Sequence, residues 1–282
     1  MEVVSAQAYA KVNFVLDIVG RRRDDYHEID TVFHQLEWSE PIRIHPARRW
    51  RARLCPQRIA PAGNTLERAQ RCYERWVGPA LPVHVAVKKG LPAGSGLGGG
   101  SADAGTWLTW QAKQAGIDVG DPRLQQAAVA TGADVPFFLS GAICARAGGI
   151  GEKIEPLPGV EAALLVAVPG LRLSSAAVYQ RYDAIGGDRI DVSAWLAGQK
   201  SGDLCQMGRS MGNALQRAAL SLAPVLAEVE KALWALHPLG VTMTGSGSAF
   251  FALFADRQCA LAAAEKWQLP TVPIHVVSLR TV

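Results

Sequence analysis

Residues Gly94-Ser95-Gly96-Leu97-Gly98-Gly99-Gly100-Ser101 place five glycines in seven positions and follow them with a hydroxyl. A backbone this bare of side chains can turn its N–H groups onto phosphate oxygens, and a helix starting where the glycines end adds the positive end of its dipole. The run is built like an anion cradle. Three shorter patterns hold polar groups that a site beside such a cradle would need. Ala10-Lys11-Val12-Asn13 sets a lysine and an amide two residues apart, on one face of a strand. Gly132-Ala133-Asp134-Val135-Pro136 offers a carboxylate, and Thr244-Gly245-Ser246-Gly247-Ser248 is a second loop of glycine and hydroxyl. Each also has a plain reading alone: a wet strand face, a turn aspartate, an ordinary tight turn.

The kind of cradle is constrained by its surroundings. Gly94, Gly96 and Gly99 satisfy G-x-G-x-x-G, with Asp118 or Asp121 about twenty residues on, the arrangement of a dinucleotide site. The segment before it alternates as Val83, Val85, Val87 against His84, Ala86, Lys88, whereas a buried parallel strand would be apolar throughout. The lysine of a Walker loop is missing, since Gly100-Ser101 follows Gly99. A third design of phosphate loop is therefore expected.

The elements that must position these groups can be read from periodicity. Residues 2–8, 12–19 and 29–38 are expected as strands, and 83–88 as a strand with one covered face. A helix follows from Ser101 to about Gln114. Asp121-Pro122 reads as an N-cap and a proline at the first helical position, opening a helix to about Thr131 with Gly132 as its stop. Pro136 biases Val135 toward an extended conformation, which puts Asp134 where a helix has ended and a loop or strand begins. The glycine- and proline-punctuated stretch 141–157 suits a domain boundary. Beyond it come the strand AALLVAV from Ala162, an amphipathic helix near 214–236, the strand AFFALFA, a helix near 257–267 and a last strand near 273–279.

The 282 residues suffice for about two average domains, divided here as 1–155 with the first glycine loop and 156–282 with the second. No run approaches the roughly 18 apolar residues of a membrane helix, and the start lacks the basic-then-apolar order of a signal peptide, so a cytoplasmic protein without a membrane partner is expected. Five scattered cysteines without C-x-x-C spacing read as reduced structural thiols. The net charge of +4 lies in the N-terminal half, in Arg21-Arg22-Arg23 and in Arg43, Arg48, Arg49, Arg51, Arg53 and Arg58. That is expected as a solvated face, without a nucleic-acid partner.

In this order and spacing, the early A-K-x-N, the P-x-x-x-G-L-G-G-G-S run, G-A-D-V-P and the late T-G-S-G-S resemble the small-molecule kinases named for galactokinase, homoserine kinase, mevalonate kinase and phosphomevalonate kinase, over nearly the whole chain. Gly20-Arg21-Arg22-Arg23-Asp24-Asp25-Tyr26-His27 with Phe33, and Gly94 through Ala104, are similar to the branch that phosphorylates a cytidine diphosphate-linked sugar alcohol on the non-mevalonate route to isoprenoids. Asp25 stands where that branch often has glycine, and Asn213-Ala214-Leu215-Gln216 where it has a string like N-D-L-E. The resemblance implies an α+β, two-domain small-molecule kinase fold, with a ribosomal-protein-like N-terminal domain, a ferredoxin-like C-terminal domain and the active site between them.

It also implies roles. Asp134 would accept the proton of the substrate hydroxyl, and Lys11 would hold that carboxylate ionised. ATP, as co-substrate, would lie on Pro92, Gly94, Ser95, Gly96, Leu97, Gly98, Gly99, Gly100 and Ser101. Mg²⁺ is expected to arrive with it, Ser101 being a hydroxyl donor or, directly or through water, a contact to the ion. Tyr26 and Tyr179 would stack on cytosine with His27 reading its edge, Asn13 would position the sugar alcohol, and Phe33, Ser175, Gly245 and Ser246 would complete the substrate site. Asp103 could serve by charge complementarity at a helix N-terminus alone. The competing readings are a sister kinase acting on mevalonate or homoserine and an RNA-binding module using the arginines. The oligomeric state is left open.

Overall fold

The structure, a computed structural model, describes residues 2–56 and 64–281. Arg58 lies outside the described residues. The N-terminal half opens with two long antiparallel strands, β1 (Val4–Arg21) and β2 (His27–Pro46), followed by β3 (Arg51–Cys55). Next come helix α1 (Thr65–Trp76), strand β4 (Val83–Lys88), helices α2 (Gly99–Ala115), α3 (Pro122–Thr131) and α4 (Val135–Ser140), and strands β5 (Cys144–Gly148) and β6 (Lys153–Leu157). These strands form one sheet, ordered β3-β4-β2-β1 with β5 on β2 and β6 on β5. It is completed by β8 (Gly212–Asn213), from late in the chain, parallel to β1.

The second sheet is ordered β11-β7-β10-β9, from β7 (Ala163–Ala167), β9 (Gly240–Met243), β10 (Phe250–Phe254) and β11 (Ile274–Ser278). Around it lie α5 (Ser175–Ile185), α6 (Val192–Ser201), α7 (Leu204–Arg209), α8 (Gln216–Leu222), α9 (Leu226–Trp234) and α10 (Arg257–Ala264). The α+β class expected from the sequence is found. No helix among the described residues is long and apolar enough to cross a membrane.

Several boundaries differ from the sequence expectation, each for a local reason. Segments 2–8 and 12–19 are one strand: shifts of register between Tyr9 and Lys11 and between Asn13 and Val15 break the alternation without ending the pairing with β2. The middle of β1 is covered on both sides. Ala8 belongs to the core beneath α1 and α2, while Phe14 packs against Trp195 of α6 at 5.2 Å and edge-on to Phe251 of β10 at 5.6 Å. Lys11 and Asn13 therefore share a face as expected, but a buried one.

Val135 is helical and not extended, since the burial of Val135 and Phe137 overrides the bias of the following proline, which in the first turn gives up no needed hydrogen bond. Asp134 thus stands between the end of α3 and the start of α4. Stretch 141–157 holds the β5–β6 hairpin of the first sheet. The helix expected over 214–236 is split into α8 and α9 at Ala223-Pro224. Asp121 caps α3 through the N–H of Arg123, with Gly132 closing it. The cysteines are free thiols. Arg43, Arg48, Arg49, Arg51 and Arg53 are exposed, and Arg21 and Arg22 pair with Asp25 and Asp24 at 3.2 and 2.9 Å.

Candidate active site

The first glycine loop runs from the end of β4 into α2. Gly96 and Gly98 have φ of +83° and +74°, a region that L side chains resist. Gly98 is the N-cap of α2 and no side chain caps that helix, so its first-turn N–H groups remain for a ligand. The loop is held from three sides. Lys11 N–H donates to the Leu97 carbonyl (3.0 Å), Ala249 N–H donates to the Ser95 carbonyl (3.1 Å), and Glu40 Oε1 accepts the N–H groups of Gly90 and Leu91 at 2.7 Å each.

Beside the loop, Lys11 Nζ donates to Asn13 Oδ1 at 2.7 Å and lies 3.2 Å from Asp134 Oδ2, over the ring of Phe33. Lys11 is only 2% exposed. Asn13 is fixed in turn: its side-chain amide donates to Thr31 Oγ1 (2.9 Å), and its backbone N–H to Thr244 Oγ1 (3.1 Å). Thr244 brings in the second glycine loop, which is braced behind by Asn213 donating to the carbonyls of Met243 and Gly245 at 2.8 Å. A buried ion pair costs desolvation and is poor evidence of stabilisation. Here it holds a carboxylate and an ammonium together beside the first glycine loop, an arrangement that can accept a proton and offer a counter-charge.

A second charged cluster lies behind the loop. Lys89 pairs with Glu40 and, at 2.8 Å, with Asp103. Two buried carboxylates share one ammonium, so burial first, with the Glu40 charge adding against the pull of Lys89, pushes the Asp103 carboxyl up to about 7. The Asp103 side chain is thus committed to an internal cluster, beyond the dipole complementarity its position in α2 suggested.

These groups open onto one cleft of about 480 Å³. It is lined by Lys11, Asn13, Phe33, Pro92, Gly94 through Ser101, Asp134, Ser175, Tyr179, Gly245 and Ser246, so those expected site residues come together. Tyr26 and His27 do not line it. His27 lies next to its edge, stacked on Tyr179 (centroids 4.8 Å apart, planes 27° apart), whereas Tyr26 is 60% exposed on the β1–β2 turn. Ser175 and Ser246 hydroxyls meet at 2.8 Å on the wall. Burial first, then the charge of Asp134, pushes the Tyr179 phenol pKa upward.

The sequence reading passed over Thr31, Glu40, Asn64, Thr65, Lys89 and Asp183. Asn64 caps α1 and Thr65 abuts the loop: a Cβ on Gly100 would come within 2.8 Å of Thr65 Oγ1. The one available signal was charge inside strands, Glu40 in β2 and Lys89 just past β4. Among the described residues no cluster of three His, Cys, Asp or Glu is placed to hold a metal ion.

Comparison with known proteins identifies the family. Residues 64–142 match the family described as GHMP kinases N terminal domain, and 196–270 the family described as GHMP kinases C terminal. The 4-diphosphocytidyl-2-C-methyl-D-erythritol kinases of Nitratidesulfovibrio vulgaris and Geobacter sulfurreducens are 35% and 33% identical to the chain, each match covering 94% of it and 95% of the relative. A crystal structure of 4-(cytidine 5'-diphospho)-2C-methyl-D-erythritol kinase superposes with a TM-score of 0.79 at 33% identity, over 99% of this chain and 100% of that one.

Proposed function

This chain belongs to the 4-diphosphocytidyl-2-C-methyl-D-erythritol kinases of the GHMP kinase family, and we propose that it moves the γ-phosphoryl group of ATP onto the 2-hydroxyl of 4-diphosphocytidyl-2-C-methyl-D-erythritol, with Asp134 and Lys11 at the reacting atoms. The observation that carries this reading is the 3.2 Å pair of Lys11 and Asp134 at the rim of the glycine cradle.

Phosphoryl transfer asks for position and charge neutralisation more than for covalent chemistry. The N–H groups of Gly94 to Ser101 and the N-terminal end of α2 hold the phosphates. Asp134 orients the acceptor hydroxyl and takes its proton as the oxygen closes on phosphorus. Lys11, fixed by Asn13, keeps that carboxylate in place and offers its charge to the transferring group. Asn13, Ser175, Gly245 and Ser246 face the sugar alcohol and its diphosphate. Tyr179 provides one stacking face for cytosine, His27 reads the base edge, and Tyr26 covers the other face when its turn closes. Mg²⁺ supplies neutralisation of phosphate charge, and Ser101 is the hydroxyl placed to meet it directly or through water. We place the reaction in the cytoplasm.

The test is an ADP-release assay offering the cytidylated methylerythritol, mevalonate and homoserine in parallel. Turnover of the first alone is the expected result. Equal or better turnover of another would reassign the substrate.

A further inference from the structure

Asp183, on α5, reaches across 156 residues of sequence to the first residue of β2: its Oδ1 lies 2.6 Å from His27 Nε2. A carboxylate can only accept at that distance, so Nε2 is the ring nitrogen that carries the hydrogen. The other oxygen of Asp183 faces Arg21 Nη1 at 3.6 Å. The imidazole is confined on two further sides, stacked on Tyr179 and edge-on to Tyr182 at 6.0 Å and 88°. None of the hydrogen bonds among the described residues engages Nδ1.

From this arrangement we infer that Asp183 is a positioning residue that fixes His27 in the tautomer with a bare Nδ1, and so makes the base site select an amino pyrimidine over a keto pyrimidine. The inference rests on the proposed cytidine site. In the neutral ring, Nε2–H donating to a carboxylate leaves Nδ1 as an acceptor only. An exocyclic amino group, as on C4 of cytosine, donates to such an atom, whereas the C4 carbonyl of uracil would face it lone pair to lone pair. A base paired edge to edge with the imidazole shares its plane. It therefore lies within about 27° of the Tyr179 ring, the geometry stacking requires. The same physics holds a metal-ligating histidine in one tautomer through a carboxylate partner.

The test compares wild type, Asp183→Ala and Asp183→Asn with the cytidine and uridine forms of the diphosphate-linked sugar alcohol, each over a range of ATP. One buried hydrogen bond corresponds to about tenfold in affinity. Asp183→Ala should raise KM for the cytidine form about tenfold and reduce the cytidine-over-uridine preference about as much, with kcat and the KM for ATP within about twofold of wild type. Asp183→Asn keeps an acceptor oxygen and should recover most of the preference. Imidazole ¹⁵N shifts should show an unprotonated Nδ1 in wild type and a tautomer mixture in the alanine variant. A preference untouched in Asp183→Ala, or a loss falling equally on both bases, overturns the role of Asp183 while leaving the cytidine site standing. A wild-type enzyme indifferent to the base overturns both.

Discussion

Gly96 and Thr244 are 148 residues apart in sequence, yet a Cβ on Gly96 would come within 2.1 Å of the Thr244 carbonyl oxygen. The two glycine loops are in backbone contact, and Thr244 Oγ1 also reaches the Gly96 carbonyl at 3.3 Å. The cradle is therefore shaped by both halves of the chain. Gly96→Ala should raise the KM for ATP at least tenfold. Gly116→Ala is the control: it too puts alanine at a positive φ, but nothing lies within 4 Å of its Cβ, so it should cost only about 1 kcal/mol of stability and leave KM alone. Equal behaviour of the two variants would mean that loop contact does not shape the nucleotide site.

Substitution two residues on should act differently. A Cβ on Gly98 would meet Lys11 Cγ at 3.0 Å and Cε at 3.1 Å, with Phe138 at 3.2 Å. Gly98→Val should weaken ATP binding, because a branched side chain crowds the phosphate cradle, and also lower kcat tenfold or more by pushing Lys11 away from Asp134. Steady-state kinetics with both substrates varied would expose the split. A change in ATP affinity alone would separate the loop from the lysine.

Asp134→Asn keeps the shape and removes the negative charge. Because the lost interaction belongs to the transition state, kcat should fall by two or more orders of magnitude while ATP affinity, read by direct titration, stays within a few-fold. Turnover near the wild-type rate would move the proton acceptor elsewhere in the cleft.

What could be read from the sequence followed how local its cause is. The glycine loop leading into α2, the Asp121 cap, the Pro122 start and the Gly132 stop of α3 each depend on a few adjacent residues, and the structure has them where spacing put them. Lys11 and Asn13 could be placed on one face, but not known to be buried, because the groups packed around them, Gly98 of the glycine loop, Asp134 and Thr244, come from far along the chain. The Glu40, Lys89 and Asp103 cluster draws on three elements whose meeting no local pattern announces. Asp183 was invisible for the same reason: nothing near it in sequence shows that α5 delivers it to His27. The break in the helix expected over 214–236 is the opposite case: Pro224 is a local signal, and it outweighs the amphipathic periodicity.

The pH dependence of stability should carry a signature of His34. Its Nε2 accepts the N–H of Val160 at 3.0 Å, and burial pushes the imidazole down to about 4. A base whose folded pKa is depressed contributes stability that is complete above its unfolded value of 6.5 and is lost as pH falls toward the folded one. Between pH 7 and pH 4 this amounts to about 3 kcal/mol. Denaturant unfolding of His34→Gln should lose stability less steeply than wild type across that window by about that amount. Parallel curves would show that His34 does not govern acid sensitivity.

The base end of the cleft gives the last prediction, and the two tyrosines should not be equivalent there. Tyr179 lines the cleft and is held against His27, whereas Tyr26 stands exposed on its turn. A stacking contact on a base is worth about 1–3 kcal/mol, roughly one to two orders of magnitude in affinity. Tyr179→Ala should therefore raise the KM for the cytidylated substrate toward the upper end of that range, with the KM for ATP little changed. Tyr26→Ala should raise it by about tenfold, the smaller loss reflecting a side chain that must first be ordered. Cytidine nucleotides lacking the sugar alcohol should compete with the substrate and not with ATP, because they fill only this end of the cleft. Competition against ATP would put the base in the phosphate cradle, and a Tyr26→Ala enzyme with unchanged KM would leave Tyr179 as the aromatic face on which recognition depends.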